Sequence, residues 1–273
     1  MAASVLAGVN PIHGLYASFV GPIAGGLTTS TRLMVVTTTS AAALAAGSTL
    51  AGVDPAKRAQ TLFLLTLLAG AFMVAAGMAR LGRYTRFVSH SVMVGFLTGI
   101  AVNIVLGQIP DLTGAHAVGP NAVAKAFDVL IHPSRIDPAS LAVGAGAIVL
   151  IMIVTRTPLA PLATVVAMII PTVVVVAAGL DVAQVHDAGE ITRGLPTPAL
   201  PHLSDLSLKV IVGAMAVAAI VLVQGAGVAE ASPNPVGEPN ESNRDFVGQG
   251  IGNLVAGVFR GQPVGGSVGQ TAL

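Results

Sequence analysis

Apolar runs of near membrane-spanning length follow one another along the chain, separated by short polar breaks. Residues 62–79 form the cleanest run: Thr66 is its only polar side chain, and Arg80, Arg83 and Arg86 follow it. A hydrocarbon core about 30 Å thick takes roughly 20 residues of helix at about 1.5 Å each. On that measure the pattern predicts helical spans over residues 1–8, 14–28, 33–50, 60–79, 89–107, 139–155, 158–179, 207–229, 246–259 and 266–273. The first and last of these read as parts of spans. One amide, Gln224, interrupts the 207–229 run, and Asn103 interrupts 89–107, where it reads as helix–helix packing.

Three stretches are polar and turn-rich: 110–138, 181–205 and 231–245. They predict water-facing loops, none long enough to be a domain. The chain therefore reads as a single all-α polytopic membrane domain over residues 1–273. Composition agrees: 53% of residues are hydrophobic and 9% charged, and mean hydropathy is +0.83. A soluble domain carries about 25% charged residues. Thirteen basic and twelve acidic side chains cannot cover the water-facing surface of 273 residues. The lipid bilayer is thus the first partner implied. A net charge of +1 offers no basic patch to nucleic acid. The absence of cysteine excludes disulfides, thiol catalysis and cysteine metal sites. The histidines lack metal-ligand spacing, so no metal or cofactor is expected.

Lysine and arginine near span ends favour the cytoplasm. The Arg80, Arg83, Arg86 cluster places its loop inside, with His90 as a cap beside it. Alternation outward adds Arg32, Arg156 and Arg244 to that side. It puts Lys57, Arg58, Lys125, Arg135, Arg193, Lys209 and Arg260 on the other. The totals do not decide the orientation; the cluster does. Glu230, at the end of its span, reads as interfacial.

Two segments share a pattern. Residues 14–40 run as a glycine-rich helix, a Gly/Thr break with Arg32, then Thr37, Thr38, Thr39 and Ser40 among small residues. Residues 248–271 run as a glycine-rich helix, the break Arg260-Gly261-Gln262-Pro263, then Gly265, Gly266, Ser267 and Thr271. Interrupted spans at corresponding positions point to a transporter built from inverted repeats. A helix that starts mid-membrane exposes unpaired N–H groups and a partial positive charge. Such an end is tolerated where it lines a cavity, and there it suits an anion.

These residues resemble the SulP family of anion transporters, which carry sulfate, bicarbonate and related anions. The resemblance rests on Leu6-Ala7-Gly8 with Gly14-Leu15-Tyr16-Ala17, and on the thirteen-residue run Phe87-Val88-Ser89-His90-Ser91-Val92-Met93-Val94-Gly95-Phe96-Leu97-Thr98-Gly99. The third stretch holds Gln249-Gly250 and Asn253-Leu254 and continues through Gly261-Gln262-Pro263-Val264-Gly265-Gly266-Ser267. The resemblance covers essentially the whole chain. It implies fourteen spans in two inverted repeats of seven, divided between a core that carries the anion and a gate, usually followed by a soluble STAS domain. Against that pattern the chain offers the first seven-span repeat and the start of the second. It reads as truncated at both ends, with the last four spans and the STAS domain missing. The family's anion sits between the facing amino ends of the third and tenth spans, two half-helices that meet mid-membrane. Carried over, the substrate-binding residues are Thr37, Thr38 and Thr39 on one side and Gly266 and Ser267 on the other. There are two departures. Val36-Thr37 stands where many members have Gly-Pro, and Gln224 stands where many have an acid that binds a coupling cation or proton. A neutral amide puts such coupling in doubt, though it still hydrogen-bonds an anion.

Each candidate has a plainer reading. Hydroxyls at 37–40 commonly bond back to their own helix, and Gln224 could be a helix–helix contact. Gly265-Gly266-Ser267-Val268-Gly269 fits the nucleophile elbow G-x-S-x-G, but no Asp or His follows it. The chain reads as a transporter and not an enzyme. It would carry an inorganic anion by secondary-active transport in the cell membrane, with sulfate preferred for a hydroxyl-rich pocket. Two rivals are a truncated, non-transporting membrane fragment and a nucleobase permease of the same architecture. The permease would place an acid mid-span, and none stands there. Homodimers are common in families of this kind.

Overall fold

The computed structural model describes residues 2–271 apart from 88, 89, 120, 185, 186, 188, 190–193, 202, 233 and 236. Val88, Ser89, His186, Glu190, Arg193 and His202, singled out in the sequence, lie outside the described residues. The helices are α1 (Ala2–Leu6), α2 (Ile12–Gly26), α3 (Ser40–Leu50), α4 (Arg58–Met78), α5 (His90–Thr113), α6 (Ala122–Ile131), α7 (Pro138–Val154), α8 (Ala163–Ala178), α9 (Leu208–Ala231), α10 (Ser242–Val258) and α11 (Val268–Thr271). Two short strands, β1 (Val36–Thr38) and β2 (Val264–Gly266), precede α3 and α11. Local chemistry sets several boundaries. Thr39, Asn121, Asp137 and Ser207 accept backbone N–H bonds at the starts of α3, α6, α7 and α9. Gly179, left-handed, closes α8.

The chain divides into two compact units, Met1–Gly95 with Ala188–Leu273, and Phe96–Asp187. In the first unit, α4 and α10 make the most extensive helix contact. Glycines allow it. A Cβ on Gly70 would lie 2.6 Å from the Leu254 nitrogen, and one on Gly250 would lie 2.7 Å from the Val74 nitrogen. Gly77 and Gly257, seven residues along each helix, face backbone in the same way. Small residues let helix backbones approach where no hydrophobic drive acts between them in lipid. Around this seam Leu62, Leu64, Leu65 and Met73 of α4 pack with Ala42 and Ala46 of α3, Val217 and Val221 of α9, and Phe246 of α10.

The second unit is built differently. Its α7 and α8 pack on each other, yet bury only Val154, Ala163 and Ala167. Ile148, Met152, Met168, Ile169, Val173 and Val176 stay exposed. Helix α6 lies in the 110–138 stretch that the sequence assigns to a loop. It buries Ala126 and Val129 and exposes Val123, Phe127 and Leu130 on one stripe.

Two further boundaries differ from expectation. Helix in the 33–50 run begins only at Ser40, because residues 36–38 form a strand. Helix α5 continues past 107 to Thr113, with Pro110 inside it.

The polar ends of the first unit sort into two groups. At one end the Gly82 N–H donates to Asn243 Oδ1 (2.9 Å), Arg244 Nε to the Thr28 carbonyl (3.2 Å), and Arg32 pairs with Glu238 (2.8 Å). Elsewhere Lys209 donates to the Ala51 carbonyl, and His13 Nδ1 lies 2.9 Å from the Arg260 carbonyl. Loops bearing Arg80, Arg32 and Arg244 are thereby joined.

Candidate functional site

The two segments with matching patterns take the same element order, glycine-rich helix, strand, helix. Their strands pair antiparallel, Val36 with Gly266, Thr37 with Gly265 and Thr38 with Val264. One step outward the Ser267 N–H donates to the Val35 carbonyl at 3.0 Å. Bonded and non-bonded pairs alternate along an antiparallel ladder. Val264 and Gly266 therefore turn their N–H and C=O groups away from β1, where a third strand would take them.

Side-chain amides take them instead. Asn253 Nδ2 donates to the Val264 carbonyl (2.7 Å), and Asn253 Oδ1 accepts from the Val264 N–H (3.0 Å). Gln249 Oε1 accepts from the Gly266 N–H (3.1 Å). Gln224 Nε2 donates to the Gly266 carbonyl (3.0 Å). Two helices, α9 and α10, thus hold the outer edge of β2 through three side chains. Buried backbone groups need such partners, and in a membrane interior water does not supply them.

Glycines make room for the ribbon. Val36 lies against Gly25, Val264 against Gly21, and both approach Gly252. Gly265 leaves space for Val221, and Gly266 lies against the Gly225 backbone.

The predicted site residues gather on this ribbon. Thr37 and Gly266 lie in it, Gln224 bonds to it, and Ser267 follows it. Thr38 Oγ1 is 3.4 Å from Ser18 Oγ of α2. Thr37, next along the strand, lies on the opposite face with Gly265 and is buried. Thr39 Oγ1 accepts from the Ala42 N–H at 3.2 Å, and Ser267 Oγ from the Gln270 N–H at 3.4 Å. Both are helix caps, and each keeps its own O–H free to donate. Antiparallel pairing sends α3 and α11 off in opposite directions with their amino ends turned toward each other. Val35 to Thr39 is four residue-to-residue steps, roughly 14 Å of extended chain between those ends. Thr39 and Ser267 therefore stand at opposite ends of the ribbon. A cavity of about 450 Å³ in the same unit is lined by other residues, among them Asn10, His13 and Arg58.

Sequence reasoning missed the amides of α10. Gln249 and Asn253 stand four apart on a glycine-rich helix, and that spacing was the available signal. It also missed Asp245. This buried carboxylate accepts four bonds: Ser30 N–H (2.6 Å), Ser30 Oγ (2.8 Å), Thr31 N–H (3.0 Å) and Thr31 Oγ1 (2.6 Å). It ties α10 to the loop before β1. Among the described residues three amides keep buried atoms without a partner: Gln224 Oε1, Asn240 Oδ1, and both Nε2 and Oε1 of the fully buried Gln262. A strand does precede Ser267, as a nucleophile elbow requires. Among the described residues no acid or histidine bonds Ser267, whose Oγ caps its own helix. Among the described residues no cluster of three or more His, Asp or Glu could hold a metal.

Helices of spanning length around a ribbon that joins two opposed helix starts define a polytopic membrane protein of the broken-helix type. The chain belongs to the sulfate permease family, whose model matches residues 1–273. It is 30% identical to a probable sulfate transporter of Mycobacterium tuberculosis over 100% of this chain and 50% of that protein. It is 26% identical to the bicarbonate transporter BicA of Synechocystis over 78% of this chain and 38% of that protein. The fold matches the transmembrane domain of a cyanobacterial BicA with a TM-score of 0.85 at 22% identity, over 99% of this chain and 71% of that one. It matches SLC26A9 with a TM-score of 0.78 at 20% identity, over 99% and 47%. The chain spans about half the length of the curated relatives it first matches.

Proposed function

We propose that this chain is the anion-carrying part of a secondary transporter for an inorganic oxyanion in the cell membrane. The observation that carries the reading is the ribbon itself. It turns two helix starts toward each other and sets the O–H groups of Thr39 and Ser267 at its ends. An anion between them exchanges water for N–H and O–H donors and gains from both partial positive charges. Thr37, Thr38, Thr39, Gln224, Gly266 and Ser267 are the residues assigned to it. Unit Met1–Gly95 with Ala188–Leu273 is the carrying unit, and Phe96–Asp187 contributes to the gate. Gln224 is neutral and already donates to Gly266, so cation or proton coupling does not run through it. Sulfate and bicarbonate appear in the names of relatives. A hydroxyl-rich site suits sulfate's many acceptor oxygens, which favours sulfate over bicarbonate.

The test is uptake of radiolabelled sulfate and bicarbonate into proteoliposomes that hold this chain, beside a Ser267→Leu variant. Uptake above empty vesicles, abolished by Ser267→Leu, is the expected result. Inserted, helical protein that takes up neither anion would assign the chain to the non-transporting alternative.

A further inference from the structure

We propose that the cavity beside Arg58 binds a small organic carboxylate, with the charge on the guanidinium and the apolar body against the cavity wall. The cavity, about 450 Å³, lies where the end of α1 meets the starts of α2 and α4. Helix α4 runs from Arg58 to Met78, roughly 30 Å at about 1.5 Å per residue. The cavity therefore sits at the membrane face opposite the Gly82–Asn243 contact. None of its lining residues belongs to the ribbon or is assigned to the oxyanion.

Its chemistry centres on Arg58. The side chain is partly buried and pinned, with Nε donating to the Val53 carbonyl at 3.1 Å. Nη1 stands beside Gly8, where a Cβ would lie 3.9 Å away. Gly8 has a φ of +70°, which favours glycine, and its bare backbone leaves the guanidinium uncovered on that side. Among the described residues the terminal nitrogens of Arg58 make no hydrogen bond and no acid pairs with them, whereas Arg32 and Arg135 pair with Glu238 and Asp128. Asp54, one turn earlier, engages its Oδ1 with the Ala56 N–H at 3.0 Å. The other polar lining residues are Asn10 and His13, and among the described residues no carboxylate lines the cavity. His13 Nδ1 lies 2.9 Å from the Arg260 carbonyl, and its ring stands edge-on to Phe63, so the imidazole is held in place.

A pinned guanidinium with its terminal donors open matches the two oxygens of one carboxylate. Size then separates organic from inorganic anions. A water occupies about 30 Å³ of liquid, and an inorganic oxyanion roughly two to three times that, so it would leave most of the cavity to solvent. Val5, Val9, Pro55 and Ala59 supply an apolar wall, which a bare oxyanion cannot use and a hydrocarbon body can. Apolar walls with a few polar groups that fix orientation are the ordinary make-up of a small-molecule site.

The experiment measures the rate at which phenylglyoxal, an arginine reagent, modifies Arg58 in the purified chain in detergent. Peptide mass spectrometry reads each arginine separately, and sodium chloride holds ionic strength constant. Benzoate is the probe, benzamide its uncharged counterpart and sulfate the inorganic comparison. A ligand of this size binds in the millimolar range, so about 10 mM benzoate should slow modification of Arg58 about fivefold. Benzamide and sulfate should change it less than about twofold, and the exposed Arg156 should respond to none of the three. Equal rates at Arg58 with and without benzoate would overturn the inference, and so would equal protection by benzamide, which carries no charge. Protection by sulfate as strong as that by benzoate would overturn the organic class. An Arg58 that phenylglyoxal never modifies would show that its donors are already claimed, and the site would fall. No variant is needed, so a folding defect cannot imitate any of these results.

Discussion

Two helices of nearly equal hydropathy behave in opposite ways. In α4, 56% of the most apolar window is buried; in the Ala160–Ala178 helix that contains α8, 11% is. Hydropathy tells whether a helix can live in a bilayer, not what it faces once there. The difference lies in the residues that are not hydrophobic. The first unit's helices hold glycines where backbones meet and amides where strand edges need partners. Helix α8 has neither, and its branched side chains point outward. Lipid asks only for apolar surface, whereas another helix or a strand asks for specific shapes and bonds.

The largest break in this comparison is Gly70→Leu. The new side chain would meet Leu254 and Gly250 backbone, and a loss of about 3 kcal/mol or more, read by thermal unfolding in detergent, is expected. Val173→Leu in α8 should stay within about 0.5 kcal/mol; equal effects at the two sites would sink the contrast. Asp245→Ala comes next. It strands the Ser30 and Thr31 donors in a buried place and should cost about 2–3 kcal/mol, measured the same way. A smaller effect of opposite sign is expected at Gln262. Removing an unpaired buried amide by Gln262→Met should raise stability by about 1 kcal/mol, and a drop in melting temperature would show that the amide has a partner.

The smallest effect lies in the second unit. The Val118 N–H bonded to Asp128 holds that carboxyl below the usual carboxylate range, with help from Arg135 and His132. A depressed carboxylate contributes stability above its unfolded value, near 4 by the ordinary reference. That contribution fades as pH falls through the lower, folded value. Protection of the Val118 amide from hydrogen exchange, relative to its intrinsic rate, should therefore fall as pH drops below the usual carboxylate range, and Asp128→Asn should remove the pH step.

Much of this was legible beforehand because apolar runs and their breaks are local signals. The helices α4, α8 and α9 follow from run length alone. The paired patterns at 14–40 and 248–271 carried enough glycine and hydroxyl content to mark the ribbon's neighbourhood. What escaped notice was non-local or too short. A three-residue strand has no periodicity to read, so 36–38 read as helix. The role of Asn253 depends on an edge eleven residues later in the chain. Asp245 owes its place to a loop more than 200 residues earlier. Helix α6 was hidden by the prolines, acids and histidines around it, although its apolar stripe is present in the sequence.

The ribbon also sets a clock. Thr37 pairs with Gly265, about 230 residues downstream, and ribosomes add about 5–20 residues per second. For roughly ten to fifty seconds the first strand exists without its mate. Unpaired backbone is not tolerated in hydrocarbon. The stretch between α2 and α3 therefore cannot take its final depth in the order of synthesis and has to settle after α10 is made. A pause in translation before residue 264 prolongs that interval, which makes the rate of synthesis part of how the ribbon is assembled.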